Sequence, residues 1–233
     1  MSLAPAPLTA KGAATRELIL ARAFDLARED GMEGLSIGAV ASSAGMSKSG
    51  VFAHFGSREQ LQLALLDAVA ARFLEFIKTP AIREPRGLPR LRKIAERWCE
   101  WGRVNQSGCV LLSAAVEYDG RSNGPLRERV LRQQSDWRNE LKRAIQQAID
   151  AGHLRRDTDG TQLAFEIYAL MLGLHHDAGL FGYEEARPRA EIALERLFAS
   201  YRGATHASHG QPREGCPGST VSGQGLRNQE TPP

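Results

Sequence analysis

Cysteine is scarce in this chain, aromatic residues make up 6% of it, and charge of neither sign dominates, the formal balance being +3. Each shortage excludes a class of protein. Cys99, Cys109 and Cys216 are odd in number, are not closely paired and have no histidines at finger-like spacing, so neither a disulfide framework nor a structural zinc site is expected. A reducing compartment fits that usage. No apolar run approaches the roughly 18 residues that a membrane helix needs. The start, MSLAPAPLTAKG, lacks the basic and then apolar order of a secretory leader. The expectation is a soluble, cytoplasmic protein with no membrane partner. Alternating apolar and polar runs bounded by hairpin turns are also missing, which argues against a sheet. What is present is 42% hydrophobic residues, enough for a substantial core.

The apolar residues recur at helical spacing. In a first helix from about Lys11 to Asp30, Leu20, Ala23, Phe24 and Ala27 fall at steps of three and four, and Gly31 and Gly34 end it. Ser36 caps a short second helix carrying Ile37, Val40, Ala41 and Ala44. Gly45 breaks that helix, and Ser47 caps a third. A longer helix runs from Ser57 to about Lys78 and stops at the proline-rich TPAIREPRGLP. Five more are predicted, at about Leu88–Asn105, Cys109–Tyr118, Pro125–Ala151, Thr161–Phe181 and Glu184–Tyr201. After Tyr201 the chain turns to Gly, Ser, Pro and Gln and cannot bury enough surface to order itself. The predicted organisation is a flexible start (1–10), a three-helix unit (11–56), a helical bundle (57–202) entered by a connecting helix (57–78), and a disordered tail (203–233). The fold class is all-α.

Short helix, glycine turn and capped short helix make a helix-turn-helix pattern. Ala41 and Ala44 are small where the helices cross, and Met46 or Val51 wedge between them. Ser47, Lys48, Ser49 and Gly50 occupy the front of the third helix, the end that enters a major groove in this motif. The charge through Arg58, six Lys/Arg against five Asp/Glu, shows that any affinity for nucleic acid comes from placement of charge rather than its amount.

With its flanks, the segment LSIGAVASSAGMSKSGVFAHFGSREQL, Leu35 to Leu61, resembles the N-terminal DNA-binding domain of the TetR family of bacterial transcriptional regulators. The likeness is specific over the first quarter of the chain and looser over the remaining helices. It implies that Lys48 and Ser49 stand where members read base edges. Gly50, Phe52, Ala53 and His54 match positions near the phosphate backbone, and Arg58 replaces a lysine that meets a phosphate. The helix starts behind Ser36 and Ser57 add backbone N–H groups for anions. Phe52 departs from the family's usual tyrosine and removes a phenolic hydroxyl. His54 has two readings, a phosphate contact or a brace at the helix junction.

The resemblance further implies a homodimer through the last two helices, a double-stranded operator with two half-sites about 34 Å apart, and a cavity for an unidentified small-molecule effector. Wall candidates combining apolar bulk with a polar tip are Trp98, Trp101, Tyr118, Trp137, Tyr168, Met171 and His175. Cys109, following Gly108 at a helix start, is an eighth wall candidate, and its thiol is either reactive or inert and buried. Asp119 is read as a brace of the connection before Pro125. His175, His176 and Asp177 are neighbours on a helix and diverge by about 100° per residue, so no metal site is expected. No cofactor fingerprint, phosphate-cradling loop or nucleophile elbow occurs, so neither a cofactor nor an enzyme activity is expected. The reading is a ligand-responsive repressor. Its alternative is a helical small-molecule-binding or interaction protein that has lost DNA binding.

Overall fold

Serine, threonine and aspartate in front of apolar-periodic segments set five of the helix starts, because their side-chain oxygens take amide hydrogens that the helix cannot satisfy itself. In the computed structural model, which describes residues 9–105, 108–121 and 123–203, Thr9 Oγ1 accepts from Gly12 N at 3.2 Å and opens α1 (Ala10–Gly34). Ser36 accepts from Ala39 N at 3.0 Å for α2 (Ile37–Ser43), and Ser47 from Gly50 N at 3.1 Å for α3 (Lys48–Phe55). Ser57 accepts from Gln60 N at 3.1 Å for α4 (Arg58–Ala81). The others are α5 (Leu88–Val104), α6 (Val110–Asp119), α7 (Pro125–Asp150), α8 (Gly160–Phe181), capped by Asp159, and α9 (Tyr183–Ser200). Among the described residues these nine helices are joined by no strand beyond an isolated bridge between Leu154 and Arg202. None of them is long and apolar enough to cross a membrane. The expected tail beyond Gly203, with Cys216, and residues 1–8 of the expected flexible start lie outside the described residues.

Helices α2 and α3 pack on each other, and α1 packs on α2, α4 and α6. Helix α4 continues into the larger bundle, where it meets α5 and α7, while α8 lies against α9, α7 and α5. Buried side chains are continuous throughout, from Ile19, Val40 and Val51 near the start, through Leu65, Leu66 and Phe73 on α4, to Leu141, Ile167 and Phe198.

Helix α4 departs from the sequence expectation at its far end. It passes through Pro80 and stops at Ala81, not at Lys78. A proline here removes the amide that would bond Phe76 O and pushes that carbonyl outward. Arg97 of α5 fills the gap: its Nε donates to Phe76 O at 3.4 Å and its guanidinium lies 3.9 Å from the centre of the Phe76 ring. Tertiary packing therefore repairs what the local sequence breaks. Arg97→Ala is expected to destabilise the chain by about 1–2 kcal/mol, and by about 0.5 kcal/mol or more less in a Pro80→Ala background, where the helix supplies its own donor. Urea unfolding of the two single variants and the double variant measures that coupling.

Candidate functional site

Helix α3 is eight residues long, and its sides differ sharply. Val51 and Phe55 are buried, Gly50 and His54 are half-buried, and Lys48, Ser49, Phe52 and Ala53 are exposed. Arg16 of α1 supports it from below, its guanidinium 4.3 Å from the Phe55 ring centre. Sequence reasoning missed this brace. His54 has no hydrogen-bond partner among the described residues and lies beside Phe55, ring centres 6.4 Å apart. Ser36 and Ser47 serve as caps, and the Ser47 hydroxyl also lies 3.1 Å from that of Ser49.

Arg58, which the family resemblance places near a phosphate, also makes bonds within the protein. Its Nε donates to Leu35 O at 2.6 Å and its Nη2 to Glu33 O at 2.6 Å and Glu33 Oε2 at 2.9 Å. Helix α1 exits here with carbonyls that need donors, and Gln62, buried on α4, takes Met32 O at 2.6 Å. Arg58 thus joins α4 to the α1 exit while its side chain stays 43% exposed.

The α1 exit has a second partner. The helix kinks at Gly31, φ 73° and ψ 178°, and the next amides need acceptors. Glu117 of α6 supplies both: Met32 N donates to Oε1 at 2.9 Å and Glu33 N to Oε2 at 3.1 Å. A Cβ at position 31 would sit 2.3 Å from Glu117 Oε1, so glycine is required for the approach as well as the dihedral. Glu33 in turn accepts from Tyr118 Oη at 2.7 Å and from Arg121 Nη1 at 2.8 Å. The Tyr118 hydroxyl bond holds the Glu33 carboxyl below the usual range; burial opposes it, and Arg58 and Arg121 reinforce it. Tyr118 is raised, by burial first and by Glu33 second. Gly108, at the other end of this segment, also presses on α1, with space for no Cβ because Arg28 O would lie 2.5 Å away.

A cavity of about 300 Å³ opens between α4, α5, α6, α7 and α8. Five of the eight expected wall residues meet there: Trp98, Trp101, Cys109, Trp137 and Tyr168. Phe73, which sequence reasoning did not select, sits at their centre, its ring 4.7 Å from Trp137, 5.4 Å from Trp101 and 6.0 Å from Trp98, all edge to face. Polar α7 residues Gln133, Asp136, Glu140 and Arg143 line one side at helical spacing. Glu140 is held by Lys78 at 2.9 Å and Arg143 at 2.5 Å. The Tyr168 hydroxyl donates to Gln134 Oε1 at 2.7 Å.

Three expected wall residues lie elsewhere. Tyr118 lines a separate cleft of about 200 Å³ and spends its hydroxyl on Glu33. Met171 and His175 lie in a small void that also touches Trp98, Trp101 and Cys109. Burial, then His176, lowers the His175 pKa. No group of three His, Cys, Asp or Glu among the described residues could hold a metal ion. Of the two readings of Cys109, geometry favours the inert thiol: burial raises its pKa, against the opposing pull of the Leu112 amide, Trp101 and the Leu111 amide. Burial likewise pushes Cys99 up to about 12.

The N-terminal segment 19–65 matches the model of the bacterial regulatory proteins, tetR family, and residues 87–194 match the tetracyclin repressor-like C-terminal domain. No curated protein relative is matched. Among solved structures, a TetR transcriptional regulator from Chloroflexus aurantiacus is 29% identical, covering 84% of this chain and 100% of its own, with a TM-score of 0.74. A TetR-family transcriptional regulator from Cytophaga hutchinsonii shares the fold at 20% identity, 84% and 98% coverage and a TM-score of 0.70. AibR in complex with isovaleryl coenzyme A and operator DNA shares it at 21% identity, 76% and 97% coverage and a TM-score of 0.62.

Two outcomes check this geometry. Glu33 has a lowered folded-state pKa, so its contribution to stability is present above the unfolded carboxyl pKa and is lost as pH falls through the folded one. Tyr118→Phe removes the largest cause of the lowering, so the loss of stability between neutral pH and about pH 3 should be smaller than in the wild-type chain when urea midpoints are compared across that window. In a Cys216→Ser chain, the two remaining thiols should resist a colorimetric disulfide reagent at neutral pH until denaturant is added.

Proposed function

Because the chain belongs to the TetR family of bacterial regulatory proteins, we propose that it is a ligand-responsive repressor that binds a near-palindromic operator as a homodimer in the cytoplasm. The observation that carries this reading is the position of α6. One end of this ten-residue helix lines the cavity through Leu111 and Leu112, while the other grips the α1 exit through Glu117 and Tyr118. An effector that fills the cavity and displaces α6 must also move the attachment of α1, on which α3 is seated through Arg16 and Phe55. Two copies of α3 must match the pitch of a duplex, so a change of tilt weakens binding. The solved complex that contains both isovaleryl coenzyme A and operator DNA on this fold supports such a pairing of sites.

The dimer surface is supplied by α8 and α9. Phe165, Leu172, Leu180 and Phe181 are exposed at 61, 41, 64 and 63%, and Ile192 at 54%. Phe165, Ala169, Leu172 and His176 are spaced along one exposed side of α8, and Gly173 and Gly179 leave open space there. A second copy covers this stripe in a four-helix interface.

Light scattering of the full chain should give twice the chain mass, and recovery of bound genomic fragments should return sites with two related half-sites, diminished by the cognate metabolite. Leu172→Glu should give a monomer of unchanged helix content that binds those sites at least about tenfold more weakly. A wild-type chain that is monomeric and recovers no fragments overturns the proposal.

A further inference from the structure

The exposed side of α3 is unusual for a surface that meets a polyanion, because an aromatic ring with no polar atom stands on it. Phe52 is 55% exposed, and Ala53 and Ser49 are exposed beside it. At about 100° per residue, these three positions form one outward sector of the helix, opposite to the side that buries Val51 and Phe55. The small residues Ser49, Gly50 and Ala53 let the helix axis approach closely. Lys48 is the one cation of α3, and its chain turns aside. It lies back against α2, where a Cβ at Gly38 would come within 3.0 Å of Lys48 Cε and 3.5 Å of Nζ. The missing side chain at Gly38 leaves a trough in which the exposed Lys48 chain lies, at the α2 edge of the reading surface.

A phenyl ring cannot hydrogen-bond a phosphate or a base edge. Removing it from water is favourable only against another apolar surface. In the major groove only thymine offers one, its 5-methyl group. We propose that Phe52 and Ala53 read thymine methyl groups in the operator, while Lys48, held in the Gly38 trough, anchors the neighbouring phosphate and reads no base. This rests on the regulator reading above and moves Phe52 and Ala53 from the phosphate positions, and Lys48 from the base-edge position, that the family resemblance implies.

The test starts from duplexes selected by the full-length chain out of a random library. Thymines in the selected sequence are then replaced one at a time by deoxyuridine, which deletes only the methyl group. At one or more positions in each half-site, affinity should fall about fourfold, and in a Phe52→Ala chain the same replacement should cost almost nothing. Lys48→Ala should weaken every selected sequence by a similar factor and reduce the slope of log affinity against log salt by about one. Uracil tolerated at every position, or a uracil penalty undiminished in Phe52→Ala, overturns the inference and leaves the regulator reading standing. So does Lys48→Ala altering preference at a single base pair. A wild-type chain that enriches no duplex overturns both. Phe52 is solvent-facing, so its replacement leaves the fold intact, and the deoxyuridine arm needs no variant at all.

Discussion

The Glu117 carboxylate ties the bundle to the exit of the first helix. Glu117, on α6, accepts the two amides that the Gly31 kink leaves without partners. Without it, α1 would leave its last turn unsatisfied in a half-buried joint, where an unpaired amide costs on the order of 1–3 kcal/mol. The grip is geometric as well as energetic: two parallel bonds fix the orientation of α6 relative to α1 in a way that one bond or an apolar contact would not. Glu33 closes the knot from the other side, collecting Tyr118 and Arg121 from the α6 end and Arg58 from α4. The α1 exit is thus tied to the two helices on which a change in the cavity would be felt.

The cavity and the knot share α6, and their characters differ. The cavity is packed with rings meeting edge to face, an arrangement that resists small rotations because each ring fills the gap beside another. The knot is built of short polar bonds, which are strongly directional. A ring displaced by a ligand has little free space to move into, so its shift passes to the backbone of the helices beside it. In the proposed mechanism, directional bonds at the far end would break or hold as a set, which favours two arrangements over a continuum.

Much of this was legible in the sequence, for reasons that are local. The caps at Ser36 and Ser47 depend on residues three positions away, and each formed its expected bond; Ser57, expected as a helix start, caps α4 in the same way. The aromatic residues of α5, α7 and α8 converge because each lies on the buried stripe of its helix. What was not legible depends on distance along the chain. Glu117 and Glu33 are surface-type residues by composition, and their roles arise from partners more than eighty positions away. Asp119 was read only as a brace of the connection before Pro125, and no periodicity shows that its neighbours Glu117 and Tyr118 reach the α1 exit. The extension of α4 through Pro80 was hidden in the same way, since the repairing donor, Arg97, lies on the next helix.

The engagement of Arg58 at the α1 exit bears on how this protein would search a chromosome. With that guanidinium turned to the α1 exit and nearly as many acids as bases in the first 58 residues, the reading head has little of the diffuse positive field that keeps many regulators sliding on arbitrary sequence. Acting as the proposed operator-binding dimer, such a molecule would spend little of its unbound time on arbitrary sequence, and its occupancy would follow the number of copies more than local hopping.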